Sequence, residues 1–308
     1  MFSVIFPGQG SQLVGMGKEF FDKYDLVKKL FKEADDVLGF KISKIILDGP
    51  KEKLDLTINT QPAIFLISFS IYKVITQEFE KDLSKAKYFA GHSLGEYSAL
   101  SAAGYLKFSD TLKLLRTRGD AMQNSVPKGE GGMLAVLGSK VNEIEKILDE
   151  MNVKKNIQIA NDNSEGQLVI SGRIIDLDKF SKILKLKNIK NLKLPVSAPF
   201  HCKLMSKATE VMRKQINELT FYDGKNILIS NVTADEILEK NNLKKLLVDQ
   251  IENRVRWRES VVNMINKGVD HFIEIGPGKV LSGLIKRINK DVKINTINNE
   301  SDITELII

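Results

Sequence analysis

Runs in which nearly every position is apolar alternate along this chain with longer segments whose apolar residues fall three and four apart. Residues 3–6, the stretch ending in Tyr88, Phe89 and Ala90, and residues 227–232, 271–275 and 294–298 read as strands, the first of them buried. Residues 20–38 place Leu26, Leu30, Ala34 and Leu38 four apart and predict one helix. An apolar segment at 63–74 follows Thr60 and Pro62, which suit a helix cap and a first-turn proline. Ser109 suits the cap of a further helix running to Met122, and residues 280–288 predict another. Strands and helices in this order imply an α/β core with crossover connections.

The texture changes at Val126-Pro127-Lys128-Gly129-Glu130-Gly131-Gly132. Strands are predicted at 133–137, 157–160, 168–171 and 189–196, with helices at 141–148 and 176–184. Strand-helix-strand-strand-helix-strand is the plan of a ferredoxin-like α+β unit. The expected organisation is therefore a large α/β domain from residues 1–126 and 198–308, with a small subdomain at 127–197 inserted into it. A cleft between the two suits a substrate.

The chain has 308 residues, 43% hydrophobic and 28% charged, as an ordinary globular protein does. No stretch approaches the roughly 18 uninterrupted apolar residues of a membrane helix, so no membrane association is expected. The first residues lack the basic and apolar segments of a signal peptide, and Cys202 is the one cysteine. Both fit a cytoplasmic protein without disulfides. One cysteine and three histidines argue against a structural zinc site. The formal charge of +7 favours acidic partners. Neither finger spacing nor an arginine-rich arm points to nucleic acid.

Gly91-His92-Ser93-Leu94-Gly95 lies between a strand and a small-residue helical run, Ser98 to Ala103. Glycines two residues either side of a serine meet the need of a nucleophile elbow: a sharp turn, an exposed hydroxyl and a helix N-terminus beneath it. A glycine-rich turn entering a packed helix is the alternative. The loop after the first strand carries glycines at 8, 10, 15 and 17, and its N–H groups are suited either to an anion or to an ordinary strand exit. It matches neither a dinucleotide fingerprint nor a P-loop. On the helix at 109–122, Arg118 lies about 50° from the apolar face and Arg116 about 110°. Arg118 is thus the one to be partly buried, where its fork wants a carboxylate, either a ligand's or the protein's own. His201, at the return to the large domain, precedes a helix and is either structural or functional. Cys202 reads as a packed thiol and His271 as structural.

Taken together, Phe6-Pro7-Gly8-Gln9-Gly10-Ser11-Gln12, Gly91 to Leu100, Arg118-Gly119, Phe200-His201-Cys202, Asp249-Gln250 with Val255-Arg256-Trp257, and Glu274-Ile275-Gly276-Pro277-Gly278 resemble the bacterial malonyl-CoA:acyl-carrier-protein transacylases over essentially the whole length. The resemblance implies a hydrolase-like three-layer core with a parallel sheet and a ferredoxin-like insertion. It implies transfer of malonyl from malonyl-CoA to the phosphopantetheine of an acidic acyl-carrier protein in fatty-acid synthesis, without a cofactor or metal. A monomer is expected, although the sequence leaves the oligomeric state open. Ser93 would be the acylated nucleophile, His201 its base, and Arg118 the clamp on the malonyl carboxylate. Gln9 and the N–H of Leu94 would supply the oxyanion hole, Gln250 would orient His201 through its backbone carbonyl, and Phe200 would favour malonyl. A hydrolase on the same elbow and a non-catalytic carrier-binding scaffold are the rival readings. Against the hydrolase, no acid stands out between the serine and the histidine, the order common in hydrolases.

Overall fold

Strands β1 (Phe2–Phe6), β2 (Tyr88–Gly91), β3 (Gly131–Leu137), β4 (Ile157–Ser164), β5 (Gln167–Arg173), β6 (Lys190–Lys193), β7 (Ile227–Ile229), β8 (Glu236–Ile237), β9 (His271–Ile275) and β10 (Lys293–Ile297) form two sheets. The computed structural model describes residues 1–196 and 198–308, with side chains at all of these but 240 and 241. The larger sheet has the order β10-β9-β1-β2-β7-β8, parallel except where β8 pairs antiparallel with β7. Its central strands are apolar on both faces because both faces are covered. Val4, Phe6, Phe89, Ile273 and Ile275 enter the core beneath the helices Thr57–Gln77, Leu94–Ala102 and Phe108–Gln123. Ile5, Tyr88, Ala90 and Phe272 point the other way, against the helices Trp257–Asn266 and Val280–Ile288. Alternation along each strand thus produces three layers.

The second sheet is antiparallel, in the order β4-β5-β3-β6, and has its own core built from residues such as Val136, Ile147, Ile170 and Phe180. With the helices Val141–Glu150 and Ile174–Leu186 it is the ferredoxin-like arrangement. It is stitched to the large unit where Val255 donates to the carbonyl of Ala160 at 2.8 Å and accepts from the N–H of Asp162 at 2.9 Å. Arg258 closes the seam, with its Nε 3.1 and 3.0 Å from the two Asp162 carboxylate oxygens and its Nη2 2.8 Å from one of them. The predicted subdomain end at residue 197 lies outside the described residues.

Several predicted boundaries move. Residues 20–38 divide into helices Lys18–Lys23 and Asp25–Leu38, with Tyr24 extended between them. The four-residue spacing from Leu26 onward belongs wholly to the second, so it carried no information about the first. The apolar helix begins at Thr57, before Thr60, whose hydroxyl donates back to the carbonyls of Leu54 and Leu56 instead of capping. Pro62 therefore sits in the second turn and leaves the Ile58 carbonyl without its helical donor. Arg116 Nη1 fills that place at 3.0 Å. This helix is long and apolar enough to cross a membrane, yet 83% of its apolar window is buried in the protein. The next helix is flanked by Lys107 rather than Ser109, since Phe108 is drawn in to stack on Phe65. β4 and β5 outrun their apolar segments because ladder pairing carries polar Asn161, Asp162 and Ser164 along. β6 is shorter than predicted, and β7 stops at Ile229, where Ser230 turns to bond Asp235.

Candidate active site

Ser93 stands between the end of β2 and the helix Leu94–Ala102 with φ 54° and ψ −109°, a backbone conformation costly for any residue with a side chain. The glycines make room for the turn. A Cβ on Gly91 would lie 2.0 Å from the carbonyl carbon of Gly95, and one on Gly95 would lie 2.2 Å from the Phe6 carbonyl oxygen. Asn231, just past β7, braces the turn from outside. Its Oδ1 accepts the Ser93 N–H at 2.7 Å and its Nδ2 donates to the Gly91 carbonyl at 2.7 Å. The Ser93 N–H is thereby engaged, while Leu94 and Gln9 line the adjoining cleft. The Gln9 side chain is held by Thr57, 3.2 Å away.

Two further side chains converge on the Ser93 hydroxyl. His201 Nε2 is 2.8 Å from Ser93 Oγ, and its Nδ1 is 2.8 Å from the backbone carbonyl of Gln250. A carbonyl only accepts, so the proton resides on Nδ1 and the Nε2 lone pair faces the serine. Arg118, 1% exposed, donates from Nη1 to Gln61 Oε1 at 2.8 Å. From Nη2 it donates to Gln250 Oε1 at 2.7 Å and to Ser93 Oγ at 3.1 Å. Its Nε has no partner. No carboxylate among the described residues lies within ion-pair distance of this guanidinium.

Burial, with the Arg118 charge close by, pushes the His201 pKa down to about 3. The imidazole is thus neutral across the working range and available as a base. Burial pushes the Glu96 carboxyl up to about 7, although the amide of Gln250, the N–H of Asn231 and the charge of Arg118 all favour its ionised form. Burial likewise raises the Cys202 pKa, and its thiol donates to the Pro199 carbonyl at 3.1 Å, as suits a packed thiol. Above the serine opens a cleft of about 890 Å³, its mouth included. The large unit lines it with Gly8, Gln9, Gln61, Arg118 and Phe200, and the small one with Met133, Asn161, Asn163, Val169 and Leu194. Among the described residues no group of His, Cys, Asp and Glu is arranged to hold a metal ion.

The acyl transferase domain family matches residues 3–301. Malonyl CoA-acyl carrier protein transacylase of Bacillus subtilis is 41% identical over 301 residues, 97% of this chain and 94% of that protein. The Escherichia coli K12 protein of that name is 38% identical over 301 residues, 97% and 96% of the two chains. The crystal structure of acyl-carrier-protein-S-malonyltransferase from Bartonella henselae superposes with a TM-score of 0.95 at 41% identity, over 98% of this chain and 97% of that one. A malonyl-transacylase solved in complex with its type II PKS acyl-carrier protein superposes at 0.94 with 35% identity, over 98% and 97%. The chain belongs to the malonyl-CoA:acyl-carrier-protein transacylase family. The hydrolase-like three-layer architecture with its inserted unit is the fold of these transacylases.

Within this transacylase fold, Ser93, His201, Arg118 and Gln250 meet at one point, and Gln9, Leu94 and Phe200 line the cleft beside them. His271 stays apart, bonded to Asn295 at 2.8 Å. Sequence reasoning missed His92, Glu96, Asn163 and Asn231. His92 faces the cleft with its Nε2 2.8 Å from Asn163 Oδ1, and burial lowers its pKa. Its place directly before the serine was the available signal. Asn231 had none, since it sits past a strand end 138 residues from the serine it braces. Glu274, in one of the transacylase-like blocks, turns its carboxylate onto the N–H groups of Leu281 and Ser282 at 3.1 and 2.7 Å. There it stabilises the start of the helix Val280–Ile288.

Proposed function

We propose that this chain moves malonyl from malonyl-CoA to the phosphopantetheine thiol of acyl-carrier protein by a ping-pong reaction through malonyl-Ser93, in fatty-acid biosynthesis. The observation that carries the reading is the meeting at one hydroxyl of a neutral histidine, 2.8 Å away, and a buried guanidinium, 3.1 Å away. Nε2 of His201 takes the hydroxyl proton as Ser93 Oγ bonds to the thioester carbonyl carbon. The oxyanion rests on the N–H groups of Leu94 and Gln9, each contributing about 3 kcal/mol. Collapse breaks the carbon–sulfur bond, and the sulfur leaves as coenzyme A thiol with the proton from His201. In the second half the carrier thiol gives its proton to His201 and attacks the ester. The serine oxygen departs and recovers that proton. Both substrates are thioesters or thiols in their own right, so the cycle uses no cofactor.

Arg118 receives the free carboxylate of malonyl on the donors its amide partners leave open. The Gln250 carbonyl orients His201, so no acidic third member is needed. Phe200, on the cleft wall, limits branching next to the thioester carbonyl. Residues 127–197 act as a unit that closes the cleft over the acyl-serine, on a base formed by 1–126 and 198–308. The chain is taken to act as a monomer. Cys202 as a free thiol and the choice of coenzyme A and carrier-protein substrates support work in the cytoplasm. The test is intact mass after malonyl-CoA alone: one malonyl adduct on the native protein, none on S93A, and release on adding acyl-carrier protein. Malonyl transfer by S93A at the native rate would overturn the reading.

A further inference from the structure

Glu96 lies on the first turn of the helix Leu94–Ala102, 1% exposed, and no step of the transfer uses it. Its Oε2 accepts from Gln250 Nε2 at 2.5 Å and from the backbone N–H of Asn231 at 3.3 Å, while Oε1 has no partner. The Gln250 amide is therefore caught between Oε2, which takes hydrogen bonds, and the guanidinium of Arg118, which only gives them. One of its two orientations serves both neighbours. Nε2 points to Glu96 and to the Ser93 carbonyl at 3.0 Å, and Oε1 receives Arg118 Nη2 at 2.7 Å. Turned over, the amide would set its NH₂ against the guanidinium and its oxygen against Glu96. Protonation of Glu96 on the unpartnered Oε1 leaves Oε2 an acceptor, so the orientation survives titration.

We infer that Glu96 is a positioning residue for acyl-group selectivity: its acceptor oxygen locks the Gln250 amide, which anchors Arg118 while leaving donors of its fork open to the substrate carboxylate. Direct pairing of Glu96 with Arg118 would fill that fork and oppose an incoming anion. Placing a neutral amide between them keeps the carboxylate one step away. The inference rests on the reading of Arg118 as the malonyl clamp.

The test compares acylation by malonyl-CoA and by acetyl-CoA, which brings no second carboxylate, in Glu96→Met, Glu96→Asp, Glu96→Gln and Arg118→Ala. Met fills the space without an oxygen, and its malonyl-to-acetyl ratio of kcat/KM should fall about tenfold or more. The loss should appear in the KM for malonyl-CoA, with acetyl transfer retained. Asp keeps the charge but withdraws the acceptor by one methylene, and its ratio should fall in the same direction. Gln keeps an acceptor without the charge and should restore the native ratio. Equal loss of both acyl groups in E96M, or an unchanged ratio, would overturn the inference. So would E96D behaving as native or E96Q behaving as E96M. Where E96M does not fold, E96D and E96Q decide the matter by the same criteria. An unchanged ratio in R118A would instead remove the clamp reading on which this rests.

Discussion

Arg258 and Arg118 each meet a buried partner, Arg258 half-buried at the seam between the two units and Arg118 fully buried beneath the cleft. At the seam Arg258 meets Asp162, itself 0% exposed, through a bidentate contact. The Asp162 carboxylate meets that charge directly and opposes an incoming anion. Beneath the cleft Arg118 is anchored by two neutral amide oxygens and a hydroxyl, so its charge is positioned without being cancelled. An arginine paired with a carboxylate has its charge cancelled on the spot, and one held by amides keeps that charge open.

Removing each arginine in turn separates the two roles. R118A should lower malonyl acylation about a hundredfold or more while sparing acetyl transfer, measured as kcat/KM with each thioester. Equal loss of both would make Arg118 a brace too. R258A should do the reverse. It leaves Asp162 buried without its partner, so denaturant unfolding should show a loss of about 3 kcal/mol, with the malonyl-to-acetyl ratio unchanged.

Acidity sharpens the contrast further. With His201 held down at about 3 by burial and the Arg118 charge, acetyl acylation should not fall as pH drops through 6.5, where an ordinary histidine would protonate. In R118A one cause of the depression is gone, so the acid limb should move upward. Stability carries the same sign for His201. The unfolded histidine binds a proton below about 6.5 and the folded one does not until about 3, so this contribution is lost as pH falls across that window. Glu96 opposes it. Raised to about 7 from 4.5, it binds its proton more tightly when folded, and its contribution is lost as pH rises between those values. H201A should therefore unfold less readily in acid than the native chain, relative to their stabilities at pH 7. The smallest effect is electrostatic recruitment: with a formal charge of +7, transfer to an acidic carrier protein should slow as salt rises, chiefly in its KM. A salt-independent KM would remove net charge from the account.

Legibility in the sequence followed the range of the forces involved. Apolar runs placed β1, β2 and β9 correctly because central parallel strands must be apolar on both faces, whatever their neighbours. Polar Asn161 and Asp162 joined β4 through ladder pairing with distant segments, which local pattern does not encode. Helical periodicity turned Arg118 inward, but its amide partners Gln61 and Gln250 lie 57 and 132 residues away.

By itself the sequence determined the elements whose causes are local: the serine between two close-packed glycines at a strand-to-helix turn, the inward arginine, and the change of texture that marks an inserted unit. Tertiary structure alone decided which groups surround the hydroxyl. His201 comes from 108 residues away and the Gln250 carbonyl that directs it from a further 49, while Glu96 and Asn231 support them from behind. Orientation of a proton or an amide depends on which donor meets which acceptor across space, and only the folded chain brings those partners within reach.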